Sequence, residues 1–334
     1  MAKKENRIVL VTGATGFVGS QFVERLCKEQ GYAVRCLVRN PQALGRLSHL
    51  RDQIEVVHGD ITVPKTLTKA FEGVWGVVNL AGYRDFWSRT QRHYYKINED
   101  GARNVFSAAL IAGVEKAVQV STPLAYGVPN EIPFSEDSVA ANHPSHYGLS
   151  KYRGDTAAWQ LHEKSALPLS IVYLAAVIGA GDDKATMEVK RAVDGKMPAL
   201  VGADTTYTYV YILDAVEAIA QALLRKETVG ERYLIGTERA TTREYFNIIG
   251  KLADVPVPSL NISEALLKPF SVMMEFSARF TGIRPMLPMD VLKTTAAGSL
   301  LFDGSKAVRT LGLEYTSLEY ALDESIRGLR QEGA

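Results

Sequence analysis

The amino-acid sequence predicts an α/β fold, a doubly wound parallel sheet joined to a smaller, mostly helical C-terminal lobe. Through the first half of the 334 residues, apolar runs of strand length alternate with segments of helix length, the pattern of a parallel sheet with helices on both faces. These runs are rich in Val, Ile and Leu and do not alternate strictly with polar residues, as expected for strands buried on both sides. A glycine-rich turn directly follows the first run and supports the same fold.

Strands and helices follow one another in order along the first half of the chain. The predicted strands are Arg7–Val11, Ala33–Val38, Ile54–His58, Gly76–Leu80, Ala117–Ser121 and Leu169–Leu174. The predicted helices are Gln21–Gln30, Gln91–Ala112 and Tyr147–Lys164. Prolines divide the later chain into shorter segments. We therefore expect a sheet domain over residues 1–176 and a smaller substrate-binding lobe over residues 177–334, interleaved through returns to the sheet near residues 206–235.

Composition argues against several classes of function. Thirty-eight basic and 37 acidic residues leave a net charge of +1, so nucleic acid and an anionic membrane are poor candidate partners. No apolar stretch reaches the roughly 20 residues that a membrane-spanning helix needs, and the N-terminus lacks a signal-peptide pattern, so we expect a cytoplasmic protein. The six His are scattered without acidic or Cys partners at ligand spacing, and we predict no metal site.

The glycine-rich turn has the spacing of a dinucleotide site. Thr12-Gly-Ala-Thr-Gly-Phe-Val-Gly19 lies between the first predicted strand and a helical pattern. Glycine there permits a tight turn, close approach of the backbone to a pyrophosphate and close packing of helix on strand, while the helix N-terminus attracts negative charge. In this Rossmann-type arrangement the residues predicted to bind the cofactor are Gly13, Thr15, Gly16, Phe17, Val18 and Gly19.

The ends of the next three strands should hold the rest of the dinucleotide, because open α/β sheets bind ligands at the carboxyl ends of their strands. After the second strand the chain has Arg39 and no carboxylate, which favours a 2′-phosphate, and Arg46 follows one segment later. We therefore predict NADP(H) as cofactor in preference to NAD(H). Further predicted cofactor contacts are Asp60 and Ile61 after the third strand, and Leu80, Ala81 and Gly82 after the fourth.

Tyr147 and Lys151 are four positions apart on a predicted helix and therefore share one face. A nearby ammonium favours the ionised form of a phenol, which suits Tyr147 to proton transfer at a carbonyl. The same spacing also arises by chance in surface pairs, so the neighbouring motifs carry the interpretation.

Six motifs occur in a fixed order at strand ends and helix starts. They are Thr12–Gly19, Gly59-Asp60, Leu80-Ala-Gly82, Asn98-Glu-Asp-Gly101, Ser121-Thr-Pro-Leu-Ala-Tyr-Gly127 and Tyr147–Lys151. Together they resemble the extended short-chain dehydrogenase/reductases of the NAD-dependent epimerase/dehydratase superfamily across the whole chain. Arg39 and the run Phe302-Asp-Gly-Ser-Lys306 are most similar to the branch of dihydroflavonol reductase and 3β-hydroxysteroid dehydrogenase.

The resemblance implies roles for particular residues. Tyr147 would be the general acid in reduction, and Lys151 would lower the pKa of Tyr147 and hold the nicotinamide ribose. Thr122 would hydrogen-bond the substrate oxygen, with Ser121 as the alternative because adjacent strand residues point to opposite faces. Asn98 would support the site through backbone or water contacts, unless it is simply a surface residue of its helix.

Two departures from the family pattern bear on the reaction. The dehydratases carry Asp-Glu after the catalytic Thr, whereas this chain has Pro123-Leu124, so we do not expect dehydration. After the sixth strand, the usual Asn-Pro or Arg-Pro is replaced by apolar residues, among which Leu174 and Val177 are predicted cofactor contacts.

Aromatic and apolar residues near the predicted nicotinamide end indicate an apolar ketone as substrate. The predicted substrate contacts are Tyr83, Phe86 and Met187, in addition to Thr122 and Tyr147. The leading hypothesis is an NADPH-dependent ketoreductase of small molecules. The alternatives are a sugar-nucleotide epimerase and a non-catalytic NADP-sensing protein. The resemblance also implies a homodimer paired through the two long predicted helices.

The segment Ser263–Phe280 has apolar residues at near-helical spacing, among them Phe270, Met273 and Met274. Such a helix packs on its own lobe, forms a lid over a hydrophobic substrate or lies on a membrane surface. All three interpretations remain open at the level of the sequence.

Overall fold

The computed structural model describes residues 7–182 and 185–332. Its strands are β1 (Arg7–Thr12), β2 (Tyr32–Val38), β3 (Ile54–His58), β4 (Val74–Asn79), β5 (Lys116–Ser121), β6 (Leu169–Leu174), β7 (Ala176–Ile178), β8 (Leu200–Val201), β9 (Thr206–Tyr211), β10 (Arg232–Ile235), β11 (Glu238–Thr241) and β12 (Asn261–Ile262). Its helices are α1 (Phe17–Cys27), α2 (Leu67–Ala70), α3 (Arg92–Tyr94), α4 (Gly101–Ala112), α5 (His146–Ser165), α6 (Ala185–Val193), α7 (Ile212–Leu224), α8 (Thr242–Ala253), α9 (Glu264–Thr281), α10 (Met289–Ala296), α11 (Ser305–Leu311) and α12 (Leu318–Glu332). A π-helical segment, Tyr95–Asp100, joins α3 to α4.

Seven parallel strands form the main sheet in the spatial order β10-β6-β5-β4-β1-β2-β3. The interior strand β1 is buried from Val9 through Thr12, because helices cover both faces of the sheet. Helices α1 and α7 pack together in one layer, and α4 and α5 pack together in another. The predicted doubly wound α/β fold is confirmed.

Each predicted strand and helix overlaps an observed one, and the differences are in the residues at which they begin and end. Strands β3 and β6 have the predicted bounds. The largest difference is at α1, which begins at Phe17 rather than Gln21. Gly16 is extended and serves as the N-cap, so the helix starts inside the glycine-rich motif and Gly19 lies in its first turn.

The C-terminal lobe has a hydrophobic core of its own, built mainly from α6, α8 and α12. A three-stranded sheet in the order β11-β9-β7 contributes to it, and the rings of Tyr209 and Tyr245 stack there with their centroids 5.1 Å apart. Within residues 206–235, β9 therefore belongs to the small sheet. Only β10 returns to the main sheet, where it pairs with β6.

The second half of the chain also supplies part of the main core. Ile219 and Leu223 of α7, Leu234 of β10 and, much later, Phe302 and Leu311 are fully buried in it. The two lobes are consequently interleaved in sequence.

Candidate active site

The glycine-rich turn presents a helix N-terminus to the carboxyl ends of the strands. β1 ends at Thr12 and α1 begins at Phe17. The N-cap residue is Gly16, so no N-cap side chain accepts a hydrogen bond from the first N–H groups of this helix. The N–H groups of the first turn are thus available to an anion, and the helix dipole favours negative charge at this point.

Two glycines of the turn are required by close packing. A Cβ atom on Gly19 would lie 2.1 Å from the carbonyl oxygen of Gly13, and one on Gly13 would lie 2.6 Å from the Ala81 nitrogen. Gly13 also has a φ of +67°, which disfavours other residues. The turn therefore lies directly against the end of β4, in a form that fits the diphosphate of a dinucleotide.

A cavity of about 1590 Å³ opens at the carboxyl ends of the sheet strands. This volume exceeds the roughly 300–1,000 Å³ of an ordinary ligand pocket, which leaves room for a dinucleotide and a second molecule. The predicted cofactor residues that line it are Gly13, Thr15, Gly16, Phe17, Val18, Gly19, Arg39, Asp60, Ile61, Leu80, Ala81, Gly82, Tyr147, Lys151, Leu174 and Val177.

The two predicted phosphate-binding arginines differ in placement. Arg39 follows β2, is exposed and lines the cavity, and among the described residues no hydrogen bond or ion pair engages its guanidinium. Arg46 does not line the cavity, and its Nη2 donates to the carbonyl oxygen of Gly181. The structure thus brings Arg39, and not Arg46, to the predicted ribose position.

Tyr147 lies in the first turn of α5 and lines the cavity beside Thr122. The Ser145 hydroxyl caps this helix by accepting a hydrogen bond from the Gly148 nitrogen at 3.1 Å. Burial raises the pKa of Tyr147 to about 12, against the opposing effects of the nearby Arg84 charge and a hydrogen bond with Thr122. The phenol is therefore protonated at neutral pH.

Lys151 follows one helical turn after Tyr147 and is buried. Its Nζ donates to the carbonyl oxygen of Val120 at 2.8 Å. Burial lowers the pKa of Lys151, and the negative charge of Asp155 opposes that effect. The sequence predicted that Lys151 lowers the pKa of Tyr147, but its ammonium is hydrogen-bonded to a carbonyl of β5. The cation that acts to lower the pKa of Tyr147 is Arg84.

Thr122 and Ser121 point to different environments, as adjacent residues at a strand end do. The Ser121 hydroxyl donates to the Asp155 carboxylate beneath the cavity floor. Thr122, by contrast, lines the cavity together with Tyr147, and its hydroxyl acts to lower the pKa of the phenol. Of the two candidates, the geometry favours Thr122 as the hydroxyl that meets a substrate.

A chain of buried hydrogen bonds runs under the site, and the sequence analysis missed it. Thr12 Oγ1 donates to Asn79 Oδ1 at 2.5 Å, and Asn79 Nδ2 donates to Gln119 Oε1 at 2.8 Å. Gln119 Nε2 then donates to Asp155 Oδ1 at 2.9 Å, and Asp155 also accepts from Ser121. The three strand residues are direct neighbours in register across β1, β4 and β5. The available signal was a polar residue near the end of each apolar strand.

Replacing Asp155 with Asn tests this chain. An amide has one acceptor oxygen where the carboxylate has two, so its NH₂ group would face one of the donors Ser121 and Gln119. We expect the free energy of unfolding to fall by about 2 kcal/mol, the cost of a buried donor left unsatisfied. Urea denaturation measures the change.

The matched control is Glu319→Gln, since Glu319 pairs with Lys251 at 3.0 Å on the surface, where both side chains are more than half exposed. This variant should stay within about 0.5 kcal/mol of the wild type. An unchanged urea midpoint for Asp155→Asn would mean that the buried chain contributes nothing to stability.

Asn98 lies within the π-helical segment, behind the cavity wall. Its Oδ1 accepts from the Tyr83 nitrogen at 2.7 Å, and its Nδ2 donates to the Tyr83 carbonyl at 3.0 Å and to Ser150 Oγ at 2.9 Å. A Cβ on Gly154 would lie 2.1 Å from the Asn98 carbonyl oxygen, so α5 crosses here at close range. One side chain thus joins the loop after β4 to the helix that carries Tyr147, in a helix type that is frequent at functional sites.

The predicted substrate residues all line the cavity. The Phe86 ring packs edge-on against the Tyr147 ring at 5.6 Å, and Tyr83 and Met187 also line the wall. The remaining wall, which the sequence did not indicate, comes from the connection between α9 and α10, including Arg284 and Met286. Only the tertiary fold brings this late segment beside the loop after β4.

Two of the cations that line the cavity, Arg84 and Arg284, are paired with acids. Arg84 Nη2 contacts the buried Asp182 at 2.9 Å, and Arg284 Nη2 contacts Asp85 at 2.9 Å. These pairs reduce the attraction of the wall for a highly charged ligand.

A dinucleotide cradle with a Tyr and a Lys one turn apart beside it is the arrangement of the extended short-chain dehydrogenase/reductases, as the motifs implied. The chain belongs to the NAD-dependent epimerase/dehydratase family, whose model matches residues 9–236. Members of this family are oxidoreductases, epimerases and dehydratases that depend on a nicotinamide dinucleotide.

Similarity to known proteins extends over nearly the full chain. A Synechocystis protein provisionally named dihydroflavonol 4-reductase is 29% identical over 97% of this chain and 94% of its own length. Sterol demethylase protein B of Methylococcus capsulatus is 26% identical over 97% of this chain and 98% of its own. The crystal structure of gox2253 matches with a TM-score of 0.83 at 32% identity, covering 98% of this chain and 99% of that one.

Proposed function

We propose that the protein is an NADPH-dependent ketoreductase that transfers hydride between nicotinamide C4 and the carbonyl carbon of a largely apolar small molecule. The observation that carries the proposal is the Tyr147 hydroxyl, which is protonated at neutral pH and lines the same cavity as Thr122 and the glycine-rich turn Thr12–Gly19, called the glycine cradle below.

The chain's own groups account for the proton and the orientation. A bound NADPH supplies the hydride. Tyr147 donates its proton to the carbonyl oxygen, so that ketone, hydride and proton together give the alcohol. The Thr122 hydroxyl holds the same oxygen, and Lys151 binds the ribose of the cofactor. In the reverse direction the Tyr147 phenolate accepts the proton.

Two observations support an apolar substrate. Phe86 packs against Tyr147, and Met187 and Met286 also line the cavity, while Arg84 and Arg284 are each paired with an Asp. A sugar nucleotide needs cations for its phosphates, and these two are already engaged. The printed names of two relatives, a dihydroflavonol reductase and a sterol demethylase component, also refer to large, mainly apolar molecules.

Elimination of water is not part of the proposal. The positions after Thr122 are Pro123 and Leu124, which begin a short 3₁₀ helix and carry no carboxylate. The pair of acids with which the family's dehydratases remove water is absent from these two positions.

The test is NADPH oxidation by the purified protein against panels of flavonoid, steroid, acyl and sugar ketones. We expect turnover with one or more of the apolar ketones and little with sugar nucleotides. A protein that consumes no NADPH with any ketone, yet retains its cofactor and epimerises a sugar nucleotide, would instead be the epimerase that the sequence left as an alternative.

The preference for NADPH is assigned to Arg39. Its guanidinium lines the cavity after β2, at the place where a 2′-phosphate would lie. We expect Arg39→Ala to reduce the ratio of kcat/KM for NADPH to that for NADH by at least about tenfold, the loss of one charge-assisted contact. Steady-state kinetics with both cofactors measure this ratio.

Arg51→Ala is the matched control. Arg51 is also an exposed arginine of the same region, but it donates to the Pro41 carbonyl at 3.0 Å and does not line the cavity. Its removal should leave the ratio unchanged. Equal use of NADH and NADPH by the wild type would contradict the assignment.

A further inference from the structure

The helix α9 exposes one broad apolar face. Leu266, Phe270, Met273, Phe276 and Phe280 are between 44% and 76% exposed. At 100° per residue they fall on the same side of the helix. The side chains that complete this α9 face are Val272, Ile283 and Met286, all exposed. Single exposed apolar residues are ordinary, but a contiguous group of this kind marks an interaction surface.

The opposite side of α9 is fixed to the protein. Ser271 and Ala278 are buried, and the Ser271 hydroxyl donates to the Leu287 carbonyl at 2.9 Å. Glu275 Oε1 accepts from the Met289 nitrogen at 2.8 Å, at the start of α10. The helix therefore cannot turn its apolar side inward without breaking these bonds, and the α9 face remains outward.

Charge is distributed unevenly around the α9 face. Lys268 and Arg279 are exposed and lie three turns apart on one edge, and among the described residues neither has an ion-pair partner. The acids of the helix, Glu264 and Glu275, lie on the inner side and are partly buried. An apolar face with a cationic edge and no acid on its outer surface matches the boundary of a bilayer that contains anionic lipid.

A protein partner fits this surface less well. Protein interfaces carry about one hydrogen bond per 100–200 Å². The α9 face offers two hydroxyls, those of Ser277 and Thr281, which already donate to the Met274 and Ser277 carbonyls at 2.9 and 3.1 Å.

The α9 face adjoins the mouth of the substrate cavity. Residues 284–287, directly after the helix, line that cavity, and Met286 belongs to both surfaces. No helix among the described residues is long and apolar enough to cross a bilayer. We propose that the α9 face docks the protein peripherally on the surface of a phospholipid bilayer containing anionic lipid, with the cavity mouth beside the lipid.

The net charge of +1 is compatible with this mode of binding. A nearly neutral chain gains little from the overall field of an anionic membrane, so burial of the α9 face supplies the main attraction and the two edge cations add to it locally. The sequence analysis judged an anionic membrane a poor partner from the net charge alone, which does not show where individual cations lie on the surface.

Flotation of the purified full-length chain with phospholipid vesicles tests the proposal. We expect the protein to float with vesicles of phosphatidylcholine and phosphatidylglycerol. The double variant Phe276→Glu/Phe280→Glu should lower the bound fraction by at least about tenfold, because two aromatic side chains no longer enter the interface. Lys268→Glu/Arg279→Glu should weaken binding to the mixed vesicles more than to phosphatidylcholine alone.

Val139→Glu is the matched control, since Val139 is 84% exposed and lies in a loop, outside the α9 face and outside the two helices of the expected homodimer. It should float like the wild type, and thermal unfolding should show that every variant is folded. Tyr147→Phe should also float normally, so docking and catalysis are tested separately.

Two results would overturn the proposal. The first is a wild-type chain that stays in solution with both kinds of vesicle. The second is a dimer, measured by sedimentation, that Phe276→Glu/Phe280→Glu converts to monomer, because the α9 face would then belong to a second copy of the chain.

Discussion

Tyr147→Phe is expected to lower kcat for ketone reduction by about 10³-fold, within the range found for loss of a positioned general acid. The ring remains to pack against Phe86, so the wall of the cavity keeps its shape. The substitution removes the proton that the carbonyl oxygen would receive, and no other group of the phenol. NADPH binding should survive, because the glycine cradle does not involve the hydroxyl. Single-turnover kinetics and a fluorescence titration with NADPH separate the two effects.

Tyr152→Phe is the control for this substitution. Tyr152 is on the same helix, 37% exposed, and does not line the cavity. Its loss of a hydroxyl should leave kcat close to that of the wild type. If Tyr147→Phe retained full turnover, Tyr147 could not be the acid.

The pH profile gives a second readout. With a pKa of about 12, Tyr147 is protonated throughout the neutral range, so reduction by the wild type should not lose its acid between about pH 6 and 9. Oxidation of the alcohol needs the phenolate, whose fraction grows with pH below the pKa. That direction should therefore accelerate as pH rises.

Gly19→Ala is expected to abolish tight binding of NADPH and to destabilise the fold. The new Cβ would lie 2.1 Å from the Gly13 carbonyl oxygen, a backbone atom that can give way only if the turn moves off the end of β4. We expect the free energy of unfolding to fall by about 3 kcal/mol and the Kd for NADPH to rise by at least about tenfold. Urea denaturation and isothermal titration calorimetry measure the two quantities.

Gly31→Asn is the comparison. Gly31 also has positive φ, +85°, but a Cβ there meets no atom within 4 Å, and Asn tolerates this backbone region better than most residues. This variant should bind NADPH normally. Wild-type affinity and stability for Gly19→Ala would show that the close approach is not needed.

The sequence predicts those parts of the structure that depend on the residue pattern of a single short segment. Apolar runs located six of the seven strands of the main sheet to within two residues at their starts, with β3 and β6 at their predicted bounds; β10 was not predicted as a strand. The glycine spacing located the cradle, although the start of α1 depended on the backbone of Gly16. Tyr147 and Lys151 were found from a spacing of one helical turn.

The parts that the sequence could not predict depend on contacts between distant segments. Asp182 and Arg284 reach the cavity from opposite ends of the C-terminal lobe, and nothing in their local sequence marks them. The sequence predicted that Lys151 acts on Tyr147, whereas in the folded chain its Nζ donates to the Val120 carbonyl. Distances of this kind follow from packing of the whole chain.

The late position of β10 has a consequence for synthesis on the ribosome. When β6 has left the exit tunnel, its outer edge has no partner, because the strand that covers it begins at Arg232. The surface of β5 and β6 on which α7 packs is also exposed until residues 212–224 are synthesised. An unpaired, mostly apolar edge strand is prone to associate with other chains. More than half of the chain must therefore be translated, without aggregating, before β10 can complete the sheet. A fragment that ends at the predicted boundary, residue 176, would lack β10 and could not complete the sheet.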